Sequence, residues 1–190
     1  MGLTSILLIL CLVLLVSIIV VYNGLVRKRV SVENGWSQID VQLKRRHDLI
    51  PNLVETVKGY ASHESETLER VIRARNSAVT ATQNEDMGQK VQAEGMLSGA
   101  LRQIFALSEN YPDLKANQNF LSLQEELAST ENRIGFARQH YNDSVGVYNT
   151  AIQQVPANII ANYFGFKKKE FFELDAEEAK IAREAPKLSF

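Results

Sequence analysis

The first 26 residues carry no charged side chain, and Leu3 to Tyr22 within them form an almost continuous apolar run. Only Thr4, Ser5 and Ser17 interrupt it, and each hydroxyl can hydrogen-bond to a helix carbonyl. At about 1.5 Å per residue, a helix of this length spans the roughly 30 Å hydrocarbon core of a bilayer. The pattern predicts a single N-terminal transmembrane helix.

A cleaved signal peptide is the main alternative for this segment. Its apolar region is about 7 to 15 residues long, follows positive side chains and precedes a small-residue cleavage site, and none of these features is present. A lipoprotein site at Cys11 is disfavoured by bulky Leu10, and Ile6 breaks the myristoylation pattern. We therefore expect residues 1–26 to be an uncleaved membrane anchor.

After the anchor, apolar positions recur at alternating steps of four and three residues, which is typical of packed helices. The first series is Val32, Trp36, Ile39, Leu43, Arg46, Ile50, Leu53, Val57 and Tyr60. The last series is Phe120, Leu123, Leu127, Thr130, Ile134, Ala137, Tyr141, Ser144, Tyr148, Ala151 and Val155. Two shorter stretches lie between them: Leu68, Ile72, Arg75 and Val79, then Ala93, Leu97, Ala100, Ile104 and Leu107. Four helices are predicted, near 24–60, 64–82, 86–110 and 117–155.

The segments between these stretches contain helix breakers or capping residues. Pro112 disfavours helical geometry in Tyr111 before it, and Asp86 suits a helix start. Residues 60–64 form either a turn or a kink, with Ser62 and Ser65 available as caps. Pro51 falls within the first helix, so we expect a kink there and not an end.

Short connections make consecutive helices antiparallel. The predicted fold class is therefore all-α: an N-terminal single transmembrane helix followed by a long antiparallel up-down-up-down four-helix bundle. We divide the chain into the anchor at 1–26, a cytoplasmic helical bundle at 27–162 and an aromatic and basic C-terminal tail at 163–190. Because the first and fourth helices have similar lengths and opposite directions, the fourth should end back at the bilayer surface.

Charge adds orientation and excludes some partners. Arg27, Lys28 and Arg29 flank the apolar run on its C-terminal side, so the positive-inside rule puts the N-terminus outside and the bulk of the chain in the cytoplasm. The lone cysteine, Cys11, excludes intramolecular disulfides. A net charge of −1 gives no electrostatic reason to expect nucleic acid, and 45% hydrophobic residues argue against disorder.

The start of the C-terminal tail combines rings with a basic cluster, a composition that suits the headgroup level of a membrane. The predicted membrane-surface contacts are Tyr163, Phe164, Phe166, Lys167, Lys168, Lys169, Phe171 and Phe172. Alternatively, the phenylalanines cap the helical core and the lysines are only solvated. Residues 174–185 have the apolar spacing of a short amphipathic helix.

Two arginines, Arg46 and Arg75, occupy core positions of the helical pattern, and a buried guanidinium needs a carboxylate partner. Glu131 and Glu126 are the candidate partners. One hypothesis is a polar layer that fixes helix register. Its residues are Arg46, Asn52, Glu131, Asn132, Arg133, Arg138, Tyr141 and Asn142. The alternative is that the arginines extend their charged ends into solvent at the edge of the core.

No catalytic or metal-binding motif is complete. His63 and Glu64 begin a zinc-protease pattern, but Thr67 stands where the second histidine is required. Gly95 and Gly99 lack the lysine and hydroxyl residue of a phosphate loop, and no nucleophile-elbow pattern occurs. We expect no enzyme activity, no catalytic residue, no metal and no cofactor.

Two long stretches, 21–64 and 130–161, resemble the two signatures of LemA family proteins. They read VYNGLVRKRVSVENGWSQIDVQLKRRHDLIPNLVETVKGYASHE and TENRIGFARQHYNDSVGVYNTAIQQVPANIIA, and the Pro-x-hydrophobic-x-Phe ending at 186–190 is also similar. The resemblance implies a single-pass protein of the bacterial inner membrane with a helical bundle and no established catalytic activity. It also suggests a membrane metalloprotease of the HtpX type as a partner, and thus a place in membrane protein quality control.

Two classes of function follow. In the first, the chain is a non-catalytic scaffold or adaptor that forms homo-oligomers or docks another membrane protein. In the second, it is a monomeric binder or sensor of the lipid surface or envelope state, acting through the aromatic and lysine segment. The lipid bilayer is a partner in both.

Overall fold

The computed structural model describes residues 2–84 and 86–172 and is entirely helical over them, with no strand. Its helices are α1 (Leu3–Lys58), α2 (Ser65–Thr82), α3 (Met87–Ser108), α4 (Pro112–Lys115), α5 (Gln118–Ala151) and α6 (Ala157–Tyr163). The all-α class and the apolar N-terminal helix are confirmed. The predicted anchor and the first predicted soluble helix form one continuous helix of 56 residues.

Four of the six helices correspond to the predicted ones, and α4 and α6 are additional. Helix α1 continues through Pro51. It ends at Lys58, and the segment before α2 is a turn. The break at Pro112 is also confirmed, since Pro112 occupies the first turn of α4. The predicted tail helix at 174–185 lies outside the described residues.

Side-chain caps explain two of the helix starts. Asp86 precedes α3, and its Oδ1 accepts from the backbone N–H of Gln89 at 3.1 Å. Asn117 precedes α5 and accepts from the N–H of Phe120 at 3.0 Å. Each satisfies a donor that the first turn of a helix leaves unpaired. The predicted serine caps of α2 are not used, because Glu64 precedes that helix without a side-chain cap bond.

The described residues form two compact units. Unit 1 comprises residues 2–38 and 137–171, and unit 2 comprises residues 39–84, 86–136 and Phe172. Both α1 and α5 contribute to each unit.

Unit 1 is held together by close packing of the early part of α1 on the late part of α5. The rings of Trp36 and Tyr141 meet edge to face, with centroids 5.5 Å apart. A Cβ built on Gly35 would lie 3.1 Å from the Cα of Tyr141. Only glycine permits this backbone approach without displacement of the neighbouring helix.

The core of unit 2 takes side chains from α1, α2, α3 and α5, with Leu114 added from α4. The first predicted series is well reproduced, since all its members from Ile39 to Val57 are buried. In the α2 series, Leu68 is buried as predicted, but Ile72 is wrong, since it is 42% exposed. The residues that α2 buries are Leu68, Val71, Ala74, Ala78 and Ala81. Small alanines on this face let the helix pack closely, and hydropathy spacing misses that effect.

Candidate functional site

Helix α1 is the one helix in residues 2–84 and 86–172 long and apolar enough to cross a membrane, judged by length and composition. Its most apolar stretch has no buried side chain. Exposed leucines, isoleucines and valines on all sides are unfavourable in water, and a lipid environment removes that cost.

An aromatic cluster lies at the end of this apolar stretch. The ring centroid of Tyr22 is 4.8 Å from that of Phe164 and 5.7 Å from that of Phe166. The guanidinium of Arg29 lies over the Phe166 ring at 5.3 Å, a cation–π distance. The chain segment that follows α6 therefore packs against α1 where the apolar run ends.

Gly165 makes this return possible. Its φ of +71° lies in the left-handed region, and the residue follows the last turn of α6. The N–H of Phe166 donates to the carbonyl of Ala161 at 2.9 Å, and the N–H of Gly165 donates to that of Asn162 at 3.4 Å. These two bonds form a Schellman motif. It ends α6 and directs Phe166 into the aromatic cluster.

Helix α6 and the residues beside it expose an apolar surface. Val155 is 80% exposed, Ile159 67%, Tyr163 85% and Phe164 51%. Ile159 and Tyr163 are four residues apart on α6, so they share one side of that helix, and Val155 lies in the turn before it. Isolated exposed apolar residues are common, but a contiguous set beside an apolar helix end indicates a contact surface.

The predicted membrane-surface residues divide into two groups. Tyr163, Phe164 and Phe171 are exposed, whereas Phe166 and Phe172 are buried. The three lysines Lys167, Lys168 and Lys169 are all exposed. The alternative that phenylalanines belong to the core therefore describes Phe166 and Phe172, and the membrane-contact alternative fits the exposed rings.

Residues 166–170 form an extended strap along α5. The Tyr148 hydroxyl donates to the carbonyl of Lys167 at 2.9 Å, and the Tyr141 hydroxyl donates to that of Glu170 at 2.9 Å. Asn149 makes two bonds to the backbone of Lys169. Burial raises the pKa of both phenols, so they stay protonated donors at neutral pH. The strap runs opposite to α5, and so carries the lysines away from α6.

The predicted charged flank lies on α1 just beyond the apolar stretch. Arg27 and Arg29 are exposed and Lys28 is half-buried. Arg29 also lies 4.0 Å from Glu33. All three follow the apolar stretch directly on α1.

Unit 2 contains a buried polar cluster around Arg46, which is 1% exposed. Its guanidinium contacts the carboxylates of Glu94 and Glu131, and donates to the hydroxyl of Ser98 at 3.1 Å. His47 Nε2 lies 2.8 Å from Glu94. The alternative that the arginines extend their charged ends into solvent is wrong for Arg46, since its side chain is buried. Glu131 was a candidate partner from the sequence, whereas Glu126 contacts Arg45 at 3.6 Å instead.

Glu94 and His47 are the members of the cluster that sequence reasoning missed. Glu94 is 2% exposed on α3. A signal was present, because Glu94 precedes Leu97, Leu101, Ile104 and Ser108 at alternating steps of three and four, and all five are buried. Burial tends to raise the pKa of Glu94, but the His47 hydrogen bond and the Arg46 charge outweigh it and hold the pKa below its usual range.

The remaining polar-layer residues divide between the two units. Asn52 and Arg133 are exposed, as is Asn132. Arg138, Tyr141 and Asn142 belong to unit 1. Arg75, the other arginine at a core position of the helical pattern, is half-buried, and its Nε donates to the carbonyl of His47 at 3.3 Å. Within unit 2, the fold brings Arg46 and Glu131 of the proposed layer into contact.

Beside this cluster, unit 2 has a cavity of about 390 Å³. The residues that line it are Arg46, Ser98, Leu101, Arg102, Phe105, Gln124, Leu127, Ala128 and Glu131. Arg46 lies at the buried end, while Arg102, Ala128 and Glu131 are exposed at the mouth. In the described residues, no three His, Cys, Asp or Glu side chains are placed to hold a metal ion.

Comparison with known proteins gives the relationship of the chain. It is 25% identical over 174 residues to the magnetosome protein MamQ of Magnetospirillum gryphiswaldense, and the aligned region covers 80% of this chain and 64% of MamQ. It is 26% identical over 167 residues to Protein LemA of Metamycoplasma hominis, covering 84% of this chain and 74% of that protein. The chain thus spans less than two thirds of the MamQ length. Residues 35–190 match the sequence profile of the LemA family, to which this chain therefore belongs.

Proposed function

We propose that this chain is a non-catalytic, membrane-anchored helical scaffold of the bacterial inner membrane, with its N-terminus outside and its bulk in the cytoplasm. In this proposal α1, α2, α3 and α5 form an antiparallel up-down-up-down four-helix bundle beyond the membrane. The segment 155–164 rests on the bilayer surface and holds the helical part against it.

The observation that carries the proposal is the aromatic cluster of Tyr22, Phe164 and Phe166. It lies where the apolar stretch of α1 ends, which is the depth of the membrane interface if α1 spans the bilayer. Tyrosine is enriched at that depth because its ring is apolar and its hydroxyl is polar. The exposed side chains of Val155, Ile159 and Tyr163 then face the headgroup region.

The lysines play a smaller part than their number implies. The strap passes from the level of Arg29 towards that of Trp36, about 10 to 21 Å beyond Tyr22 along α1. Electrostatic attraction to anionic lipid falls off within a Debye length of about 8 Å at physiological salt. Apolar contact by α6 therefore supplies most of the surface affinity, and Lys167 to Lys169 add a salt-dependent increment.

The direct test is quenching by brominated lipids in nanodiscs containing the full chain. Tyr163→Trp introduces an indole at the proposed contact, and Gln139→Trp introduces one at an exposed position of the same unit near the level of Trp36. We expect strong quenching for Tyr163→Trp and little for Gln139→Trp, each corrected for native Trp36. Equal quenching at both positions, or none at position 163, would contradict the surface contact.

Self-assembly and docking to an HtpX-type membrane protease complete the scaffold proposal. Its support is the exposure of large apolar side chains in unit 2, among them Val41 at 63%, Met96 at 61% and Phe136 at 73%. In-cell cross-linking of the full chain with mass spectrometry tests both contacts. Links between identical positions of two copies are expected, together with a membrane protease in the product.

The alternative is a monomeric sensor of the lipid surface, favoured by the 85% exposure of Tyr163. Intramolecular links alone, combined with strong quenching at position 163, would favour this alternative. Links between copies that persist when Tyr163 and Ile159 are replaced by serine would favour the scaffold.

A further inference from the structure

The cavity of unit 2 joins an apolar wall to a buried cation. Leu101, Phe105, Leu127 and Ala128 supply the wall, and the guanidinium of Arg46 lies at its inner end. A cavity of about 150 Å³ accommodates benzene. The 390 Å³ found here therefore has room for a ligand of about 10 to 15 non-hydrogen atoms.

The two carboxylates on Arg46 differ in how firmly they are held. The side chain of Glu94 is 2% exposed and also contacts His47, whereas that of Glu131 is 49% exposed and lines the cavity. Withdrawing Glu94 would leave a buried charge, while Glu131 can rotate into solvent at little cost. Glu131 is thus the exchangeable anion, and its position shows that a carboxylate fits on Nη1 of Arg46 beside Ser98.

We propose that this cavity binds a short single-chain amphiphile with an anionic carboxylate head. The ligand head replaces Glu131 on Arg46 and Ser98, and its chain lies against Leu101 and Leu127. Arg102 at the mouth adds a second positive charge along the entry path. The guanidinium matches a carboxylate in shape and charge, and the apolar wall selects for the chain.

Octanoate is the probe, because its ten non-hydrogen atoms match the cavity and it stays monomeric at millimolar concentration. Binding is measured by calorimetry and by the shift in unfolding temperature, using the full chain in phosphatidylcholine nanodiscs. Octan-1-ol and octylammonium serve as neutral and cationic comparisons. Octanoate should bind most tightly of the three; equal binding of octanol, or preference for octylammonium, would overturn the anionic assignment.

Three variants locate the site. Ala128→Trp fills the mouth of the cavity and should weaken octanoate binding more than tenfold. Ser129→Trp, at an exposed neighbouring position outside the lining, should bind like the unsubstituted chain. Glu131→Gln removes the competing charge and should tighten binding about tenfold, the effect of one charge-assisted hydrogen bond.

The same variants also show which results would contradict the proposed ligand site. Equal loss in both tryptophan variants, or no loss in Ala128→Trp, would place any binding outside the cavity. Unchanged or weaker binding by Glu131→Gln would contradict the exchange of carboxylates on Arg46, even if Ala128→Trp fails to fold. None of these results depends on the surface contact of α6, so this inference and the proposed function fail separately.

Discussion

At the scale of single residues, the chemistry of unit 2 centres on the contact between Arg46 and Glu94, which are 1% and 2% exposed. Desolvation of two charges offsets much of their attraction, so such a pair adds little net stability. Removing one partner is costly, however, because the other charge stays buried. The Ser98 and His47 hydrogen bonds reduce that desolvation cost further.

We expect Arg46→Met to lower the free energy of unfolding by about 3 to 5 kcal/mol while leaving helix content unchanged. The cause is the buried Glu94 carboxylate, which would lose the charge of Arg46 and keep only its contact with His47. The double variant Arg46→Met with Glu94→Gln should recover much of the loss, because no buried charge then lacks its partner and the Glu131 side chain is 49% exposed. Thermal unfolding followed by circular dichroism in detergent compares the unsubstituted chain, the single variant and the double variant. A double variant no more stable than the single one would contradict the stabilising pairing of Arg46 with Glu94.

Glu94 also predicts a pH dependence. Its pKa is lowered in the folded protein by His47 and Arg46, against the opposing effect of burial. The stabilisation is therefore complete above the unfolded-state pKa of about 4.3, and it is lost as the pH falls through the folded pKa. The stability difference between the unsubstituted chain and Glu94→Gln should narrow on acidification below about pH 4.3. A constant difference between pH 7 and pH 3 would argue against this.

At the scale of helices, the contact between α1 and α5 in unit 1 depends on Gly35, where an added Cβ would come within 3.1 Å of the Tyr141 backbone. Gly146 on α5 is a matched helical glycine, since an added Cβ there would meet nothing within 4 Å. Glycine inside a helix costs about 0.5 to 1 kcal/mol relative to alanine. Replacing glycine by alanine removes that cost at Gly146, but at Gly35 the added Cβ would crowd the backbone of Tyr141.

Gly146→Ala should accordingly raise the free energy of unfolding by about 0.5 to 1 kcal/mol. Gly35→Ala should show none of this gain, and Gly35→Leu should lose about 1 to 3 kcal/mol through overpacking. Denaturant titration of the three variants under one detergent condition provides the measurement. A stabilising Gly35→Ala would mean that the helices have room to separate.

Much of the helical framework was predictable from the sequence, because helix periodicity is a local property. The first and last series identified buried positions of α1 and α5 such as Ile39, Ile50 and Ile134. The α2 face and the short helix α6 were not predictable in the same way. Ala74 and Ala78 are buried because the small side chain of alanine lets α2 pack closely on its neighbours. Helix α6 ends in a Schellman motif at Gly165, which hydropathy spacing does not report.

At the scale of the whole molecule, orientation across the membrane is the property with the sharpest test. Cys11 is the one cysteine of the chain, so Cys11→Ser gives a background without thiols. Added to it, Ser129→Cys should react with an impermeant maleimide only after spheroplasts are permeabilised, because the positive-inside rule puts that part in the cytoplasm. Gly2→Cys should react before permeabilisation. The reverse pattern would invert the proposed topology.

The sequence by itself determined the all-α class, the apolar N-terminal helix and the family, because these rest on hydropathy, helical period and motifs that are read along the chain. Tertiary structure decided which charges meet. Arg46 lies 48 residues from Glu94 and 85 from Glu131, and Tyr22 meets Phe164 far along the chain. Periodicity places a residue on a helix face, but only packing of that face selects its partner and leaves the cavity beside Arg46.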